Sequence, residues 1–178
     1  RQQFRQQGVV QFSANFNLYG DISQRLTLVL AELTPQIEVY SVDESSLDLT
    51  SLGLADPTVW ARRARQRLLD EVGIPVSIGI APTKTLAKLA TEQVKRQRLA
   101  EGIFDLASLD EAARLPALIQ TPLRDIWGIG WRLAPRLQAE GLHTAADLAA
   151  IRPQLAEQLM GVHGRRLVAE LNGICCQP

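Results

Sequence analysis

The sequence predicts an α+β protein in two parts, and three observations predict it. Apolar residues up to about residue 107 alternate between helical and strand spacing in the order helix, strand, strand, helix, strand. Beyond that point short helical patterns are broken by Pro and Gly, and no strand is expected. The whole chain of 178 residues is 46% hydrophobic with nineteen Lys+Arg against nineteen Asp+Glu, the composition of a soluble globular protein. Disorder and collagen-like structure are excluded by it.

The elements follow in order. Asp21 with Gln24 marks a helix start, and Ile22, Leu26, Val29, Leu30 and Leu33 recur at helical spacing until Pro35. Residues 37–42 and 46–50 are β-rich and separated by a few polar residues including Asp43 and Glu44, which reads as a hairpin. Asp56 as N-cap and Pro57 at the first helical position open a second helix that places Trp60, Ala64 and Leu68 on one face, and Gly73 closes it. Val76, Ile78 and Ile80 alternate as a strand, Pro82-Thr83 leads into a third helix carrying Leu86, Leu89, Ala90 and Val94, and a last strand is expected near 103–106. This order is the ferredoxin-like βαββαβ unit without its first, central strand, so a gap is expected between the hairpin and the strand at 75–80. Residues 9–13 are β-prone but need not fill it.

No apolar run reaches the roughly eighteen residues of a membrane span, and no leader pattern opens the chain. The two cysteines, Cys175 and Cys176, are adjacent and make neither a disulfide framework nor a metal-ligand spacing, so a reducing intracellular compartment is expected. Arg rather than Met at position 1 and the abrupt Cys-Cys-Gln-Pro end suggest a piece of a longer protein. The balanced charge hides a division. Residues 1–50 carry three basic and six acidic side chains, 51–100 nine and four, and 101–178 seven and nine, so an anion belongs with the middle third.

Several constellations could carry chemistry. Asp43 and Glu44 are adjacent hard-oxygen donors at a strand junction, able to reach Mg²⁺, although by spacing alone the pair reads as a solvated turn. Lys84 and Lys88 share a helix face, continued by Lys95, where ammonium charge and helix dipole would add toward a triphosphate; a solvated basic face is the alternative. Gly128 and Gly130 around Ile129, with Arg132 and Arg136, form a tight hairpin between helices whose amides could hold DNA phosphates, or a hairpin that only packs. A looser echo lies at 161–167. Asp48 could be a third carboxylate or a solvated strand end. His143 and His163 lack companion ligands, so a zinc site is not expected.

Three stretches together resemble one family. Tyr40-Ser41-Val42-Asp43-Glu44-Ser45-Ser46-Leu47-Asp48-Leu49-Thr50 resembles the catalytic palm motif of Y-family translesion DNA polymerases. Residues 77–90, Ser-Ile-Gly-Ile-Ala-Pro-Thr-Lys-Thr-Leu-Ala-Lys-Leu-Ala, are similar to that family's second palm signature, and Trp127-Gly128-Ile129-Gly130 with Gly141-Leu142-His143-Thr144 to its thumb helix-hairpin-helix. Phe12-Ser13-Ala14-Asn15-Phe16-Asn17-Leu18-Tyr19 and Glu170-Leu171-Asn172-Gly173-Ile174-Cys175 resemble the UmuC branch, the catalytic-subunit type of DNA polymerase V, more than the DinB branch.

The resemblance implies a palm lacking its first strand at 21–107, a helix-hairpin-helix thumb at 108–174, a remnant of the fingers at 1–20, and at 175–178 the start of a linker to an absent little finger. It implies that Asp43 ligates catalytic Mg²⁺ and that Glu44 supports the ion activating the primer 3′-hydroxyl. Lys88 would contact the triphosphate of the incoming dNTP, and Lys84, Gly128, Ile129, Gly130 and Arg132 the DNA. Primer-template DNA is the implied partner, with a UmuD-type protein, RecA and the sliding clamp, in the bacterial cytoplasm at the nucleoid and in the SOS response. A further metal-binding Asp, the ribonucleotide-excluding aromatic residue, and the Tyr and Arg of the fingers would lie outside this chain, which alone is expected not to polymerise. Pro135, five residues into the thumb helix, is expected to remove a hydrogen bond and strain the turn. Two other readings compete: a DNA-binding or assembly module with a vestigial acidic pair, and a ferredoxin-like nucleotidyl cyclase, against which the thumb hairpin counts.

Overall fold

The computed structural model describes residues 6–10 and 12–176. The chain divides into two compact units, one ending at Asp48 and the other beginning at Leu49.

The first unit is a helix followed by a hairpin. Helix α1 (Phe16–Leu33) begins five residues before the expected Asp21, because Asn15 caps it through a side-chain oxygen that accepts from the Leu18 amide at 3.1 Å. Asp21 instead lies within the helix and pairs with Arg25 at 2.9 Å. Only the second half of α1 buries a face, through Val29 and Leu30. Thr34 ends it: its amide donates to the Leu30 carbonyl and its hydroxyl to the Asp48 carbonyl at 3.0 Å. Strands β1 (Ile37–Val39) and β2 (Ser45–Leu47) pair antiparallel with Ile37 opposite Leu47 and Val39 opposite Ser45. They are shorter than the expected 37–42 and 46–50. The Tyr40 and Ser41 amides both donate to the Glu44 carbonyl, which turns the chain before the alternation of side chains runs out. Val9, Val10, Phe12 and Ser13 form no strand; Gln11, like residues 1–5 of the expected remnant and 177–178 of the expected linker, lies outside the described residues.

The second unit opens with a single 3₁₀ turn at Thr50–Leu52. Helix α2 (Pro57–Val72) follows the expected signals closely: the Asp56 carboxylate accepts from the Thr58 and Val59 amides, and Gly73 ends the helix at φ 78°, a left-handed conformation costly for other residues. Its buried face is Ala61, Ala64 and Leu68, with Trp60 half-buried against Ala61, Ile80 and Ile103. Strand β3 (Ile78–Ile80) pairs parallel with β4 (Ile103–Asp105). The two strand pairs are separate two-stranded sheets.

Between β3 and β4 runs α3 (Lys84–Gln97), capped by the Thr83 hydroxyl, which accepts from the Leu86 amide at 3.3 Å. Helices α4 (Glu111–Ile119), α5 (Leu133–Ala139), α6 (Ala145–Ala150), α7 (Pro153–Met160) and α8 (Val162–Leu171) complete the unit, with a 3₁₀ turn at Leu123–Asp125. Among the described residues no strand follows β4, as the sequence predicts. Leu86, Leu89 and Ala90 of α3 share one core with Leu123, Ile126, Leu137, Leu148 and Leu167. That core crosses residue 107 without a break, and each fully buried leucine contributes roughly 1.5–3 kcal/mol.

Candidate functional site

Asp43 and Glu44 sit in the turn between β1 and β2, where the sequence places them. Asp43 is exposed, and its carboxylate accepts a 2.6 Å hydrogen bond from the Ser41 hydroxyl. Glu44 is half-buried and its carbonyl holds the turn closed. The local reason is the motif itself: Ser41 two residues before Asp43 makes a side-chain turn that fixes the carboxylate. Two adjacent carboxylates supply only hard oxygen donors, a set suited to Mg²⁺. Among the described residues no third His, Cys, Asp or Glu joins them to complete a metal shell. Asp48 is exposed just past β2.

Lys84, Lys88 and the glycine hairpin belong to the second unit. Lys84 is the first residue of α3 and is half-buried. Lys88, one turn on, faces a cleft of about 450 Å³, with Glu92 beside it and the 125–130 segment forming the opposite wall. Structure thus brings Lys88 together with Gly128, Ile129 and Gly130. The lysine stripe is partly neutralised, because Glu92 lies 3.8 Å from the Lys88 ammonium and 2.9 Å from that of Lys95. Arg96, on the last turn of α3, donates to the Gln120 carbonyl and the Asp125 carboxylate and so ties the helix to the hairpin.

The hairpin is built on buried Ile126 and Ile129, which are 4% and 3% exposed and leave Gly128 and Gly130 at the surface. Gly128 has φ 89°, a conformation that favours glycine. The Ile129 amide donates to the Ile126 carbonyl; among the described residues the Gly128 and Gly130 amides meet no internal acceptor. Residues flanking the hairpin are pinned together by the Leu123 amide on the His143 carbonyl and the Ala145 amide on the Thr121 carbonyl. Arg132 is exposed, its guanidinium 4.8 Å from the ring centroid of Trp131, which is 79% exposed. Helix α5 begins only at Leu133, so Pro135 occupies its third position, where an amide has no partner within the helix. One residue earlier the Ala134 amide donates to the Gly130 carbonyl at 3.1 Å, and Pro135 has no amide to carry that register on to Trp131, so the regular helix starts only at Leu133.

The second arm starts with a reciprocal cap. The Thr144 hydroxyl accepts from the Asp147 amide, while the Asp147 carboxylate accepts from the His143 and Thr144 amides at 2.9 Å each. The amide of His143 first, then that of Thr144, holds the Asp147 carboxyl below the usual carboxylate range. Sequence reasoning missed Glu92, Arg96 and Asp125 around the cleft, and the wholly buried Glu170. The Glu170–Cys175 stretch carries a resemblance but not a partner, and no local pattern assigns the others a role, since each acts on a group from another element or on a charge already assigned.

The fold, a small mixed unit followed by short helices around a glycine hairpin, is that of the palm and thumb of a Y-family polymerase. The structure of DinB from Sulfolobus solfataricus matches it with a TM-score of 0.71 at 25% identity, covering 91% of this chain and 46% of that one. Residues 2–92 match the sequence model of the impB/mucB/samB family, and the chain belongs to that family. It is similar to Protein UmuC of Salmonella typhimurium, 41% identical over 178 residues that cover 99% of this chain and 42% of that protein. DNA polymerase IV 1 of Halalkalibacterium halodurans is 38% identical over 165 residues, 92% of this chain and 38% of that protein. The chain thus spans about two fifths of the length of these relatives. Among the described residues no helix is long and apolar enough to cross a membrane.

Proposed function

We propose that this chain is the palm, residues 21–107, and the thumb, residues 108–174, of an error-prone translesion DNA polymerase acting in bacterial DNA repair and the SOS response. The whole protein joins a dNTP to a primer 3′-hydroxyl opposite damaged template and releases pyrophosphate. The observation that carries this reading is the open cleft that Lys88 and the Gly128–Gly130 hairpin line together, a cation beside two glycine amides that have no internal acceptor among the described residues.

In this reading Asp43 and Glu44 hold Mg²⁺. When bound, that ion supplies charge that favours the deprotonated 3′-hydroxyl and offsets the charge developing on the leaving pyrophosphate. Lys88 neutralises and orients the triphosphate, and Glu92 keeps the ammonium aimed while the site is empty of phosphate. Gly128 and Gly130 offer amides to a DNA strand, with Ile129 buried to hold them outward. Lys84 and Arg132 add charge against the backbone. Such contacts position DNA without reading its sequence, which suits a damaged template. A UmuD-type protein, RecA and the sliding clamp are proposed as partners, and the bacterial nucleoid as the location, by kinship with the UmuC type. The 178 residues alone are expected not to polymerise, since the resemblance assigns a further metal-binding Asp and the Tyr and Arg of the fingers to segments outside them.

Primer extension past an abasic site by the whole protein tests this. Extension is expected to require Mg²⁺ and to fall by about 10²-fold or more in Asp43→Asn, since a ligand of the ion is lost. A folded, DNA-binding Asp43→Asn protein that extends as well as the parent, or a parent that never extends even with its partners, would move the chain to a non-catalytic DNA-binding module.

A further inference from the structure

We propose that Glu170 is a positioning residue for the lysine-bearing helix α3, clamping its first turn from the far end of the second unit. The inference rests on the reading of Lys88 as the triphosphate contact.

The first turn of any helix leaves amides without partners. In α3 the Thr83 hydroxyl satisfies the Leu86 amide, and the Thr85 amide is taken by Glu170 Oε2 at 3.1 Å, across 85 residues of sequence. The same Thr83 hydroxyl donates to the Glu170 main-chain carbonyl at 2.8 Å. One residue therefore holds the cap and the first turn at two points. Its other carboxylate oxygen accepts from the Cys176 amide at 2.6 Å, beyond the end of α8. Glu170 is 0% exposed. Burying a carboxylate is costly unless charge-assisted hydrogen bonds and a helix N-terminus compensate, and here both are present.

A side chain with no exposed surface cannot touch a ligand, so any effect on binding passes through α3. Lys84 stands at the clamped turn and Lys88 one turn further. The sign of the effect separates position from charge. Removing a negative charge near these lysines would, by electrostatics alone, strengthen the attraction for phosphate. Loosening the first turn weakens it, because ammonium groups without a fixed aim pay ordering entropy on binding. Glu170→Gln keeps the shape but loses one of the two carboxylate acceptors, leaving a donor facing an amide.

The test is a titration of the whole protein with a fluorescent dATP analogue and Mg²⁺, with circular dichroism melts alongside. Lys88→Ala is expected to weaken binding about tenfold and Glu170→Gln about fivefold, and the double variant to lose little more than Lys88→Ala, the non-additivity of residues acting through one another. Cys176→Pro removes one donor to Glu170 without touching any helix, and a loss of about twofold in the same direction is expected. It carries the test should Glu170→Gln fail to fold. Binding that depends on Lys88 but is unchanged or tighter in Glu170→Gln and Cys176→Pro overturns the positioning role alone. Nucleotide binding that is absent, or indifferent to Lys88→Ala, overturns the triphosphate reading itself and this inference with it.

Discussion

Gly79 shows how a single residue sets the distance between strand and helix. A Cβ there would lie 2.1 Å from the Ala87 carbonyl oxygen and 2.6 Å from the Thr91 amide, both main-chain atoms of α3 that cannot rotate away. Gly79→Ala is expected to push α3 off β3 and cost about 1–3 kcal/mol, the penalty of overpacking a tight contact. Urea unfolding checks this, and a midpoint matching that of the parent would contradict the close approach. The same displacement would move Lys88 relative to the hairpin. At this scale the sequence places Asp43 and Glu44 in the turn and Lys84 and Lys88 on one helix, because their neighbours in sequence define those elements, while their roles rest on the proposed function. Glu170 was not, because a glutamate in the sequence Ala-Glu-Leu reads as a solvated helix residue until its partner is known.

Helix ends are the level at which local sequence speaks most clearly. Asp56 with Pro57 and Thr83 do what their side chains dictate, Gly73 what the lack of one permits, and the observed caps follow. The start of α1 departs from expectation because residues 16–20 are all exposed, so apolar periodicity begins only after the true cap at Asn15. The cap of α6 makes a pH prediction. Asp147 has a folded pKa below its usual 3.8, so its contribution to stability is fully present above that value and is lost as pH falls through the lower, folded value. Thr144→Ala is expected to cost about 1 kcal/mol at neutral pH. Asp147→Asn should flatten the acid limb of the stability curve below 3.8; an unaltered limb would mean the cap contributes nothing there.

Charge is a property of the whole molecule, and nineteen cations against nineteen anions leave no general attraction for nucleic acid. DNA binding by this chain is therefore expected to be weak and to rest on a few phosphate contacts, falling about tenfold between 50 and 200 mM salt. An anisotropy titration with duplex DNA measures it, and tight, salt-insensitive binding would argue against a phosphate-reading hairpin. The α+β order, the all-helical second half and the acidic turn were determined by the sequence itself, since caps, periodicity and turns act over a few residues. Tertiary structure alone decided that Lys88 shares a cleft with Gly128–Gly130, that Arg96 reaches Asp125 across 29 residues, and that Glu170 reaches Thr85 across 85. Those contacts depend on how buried leucines of α3 and the later helices pack into one core, and packing at such separations leaves no periodic mark on the chain.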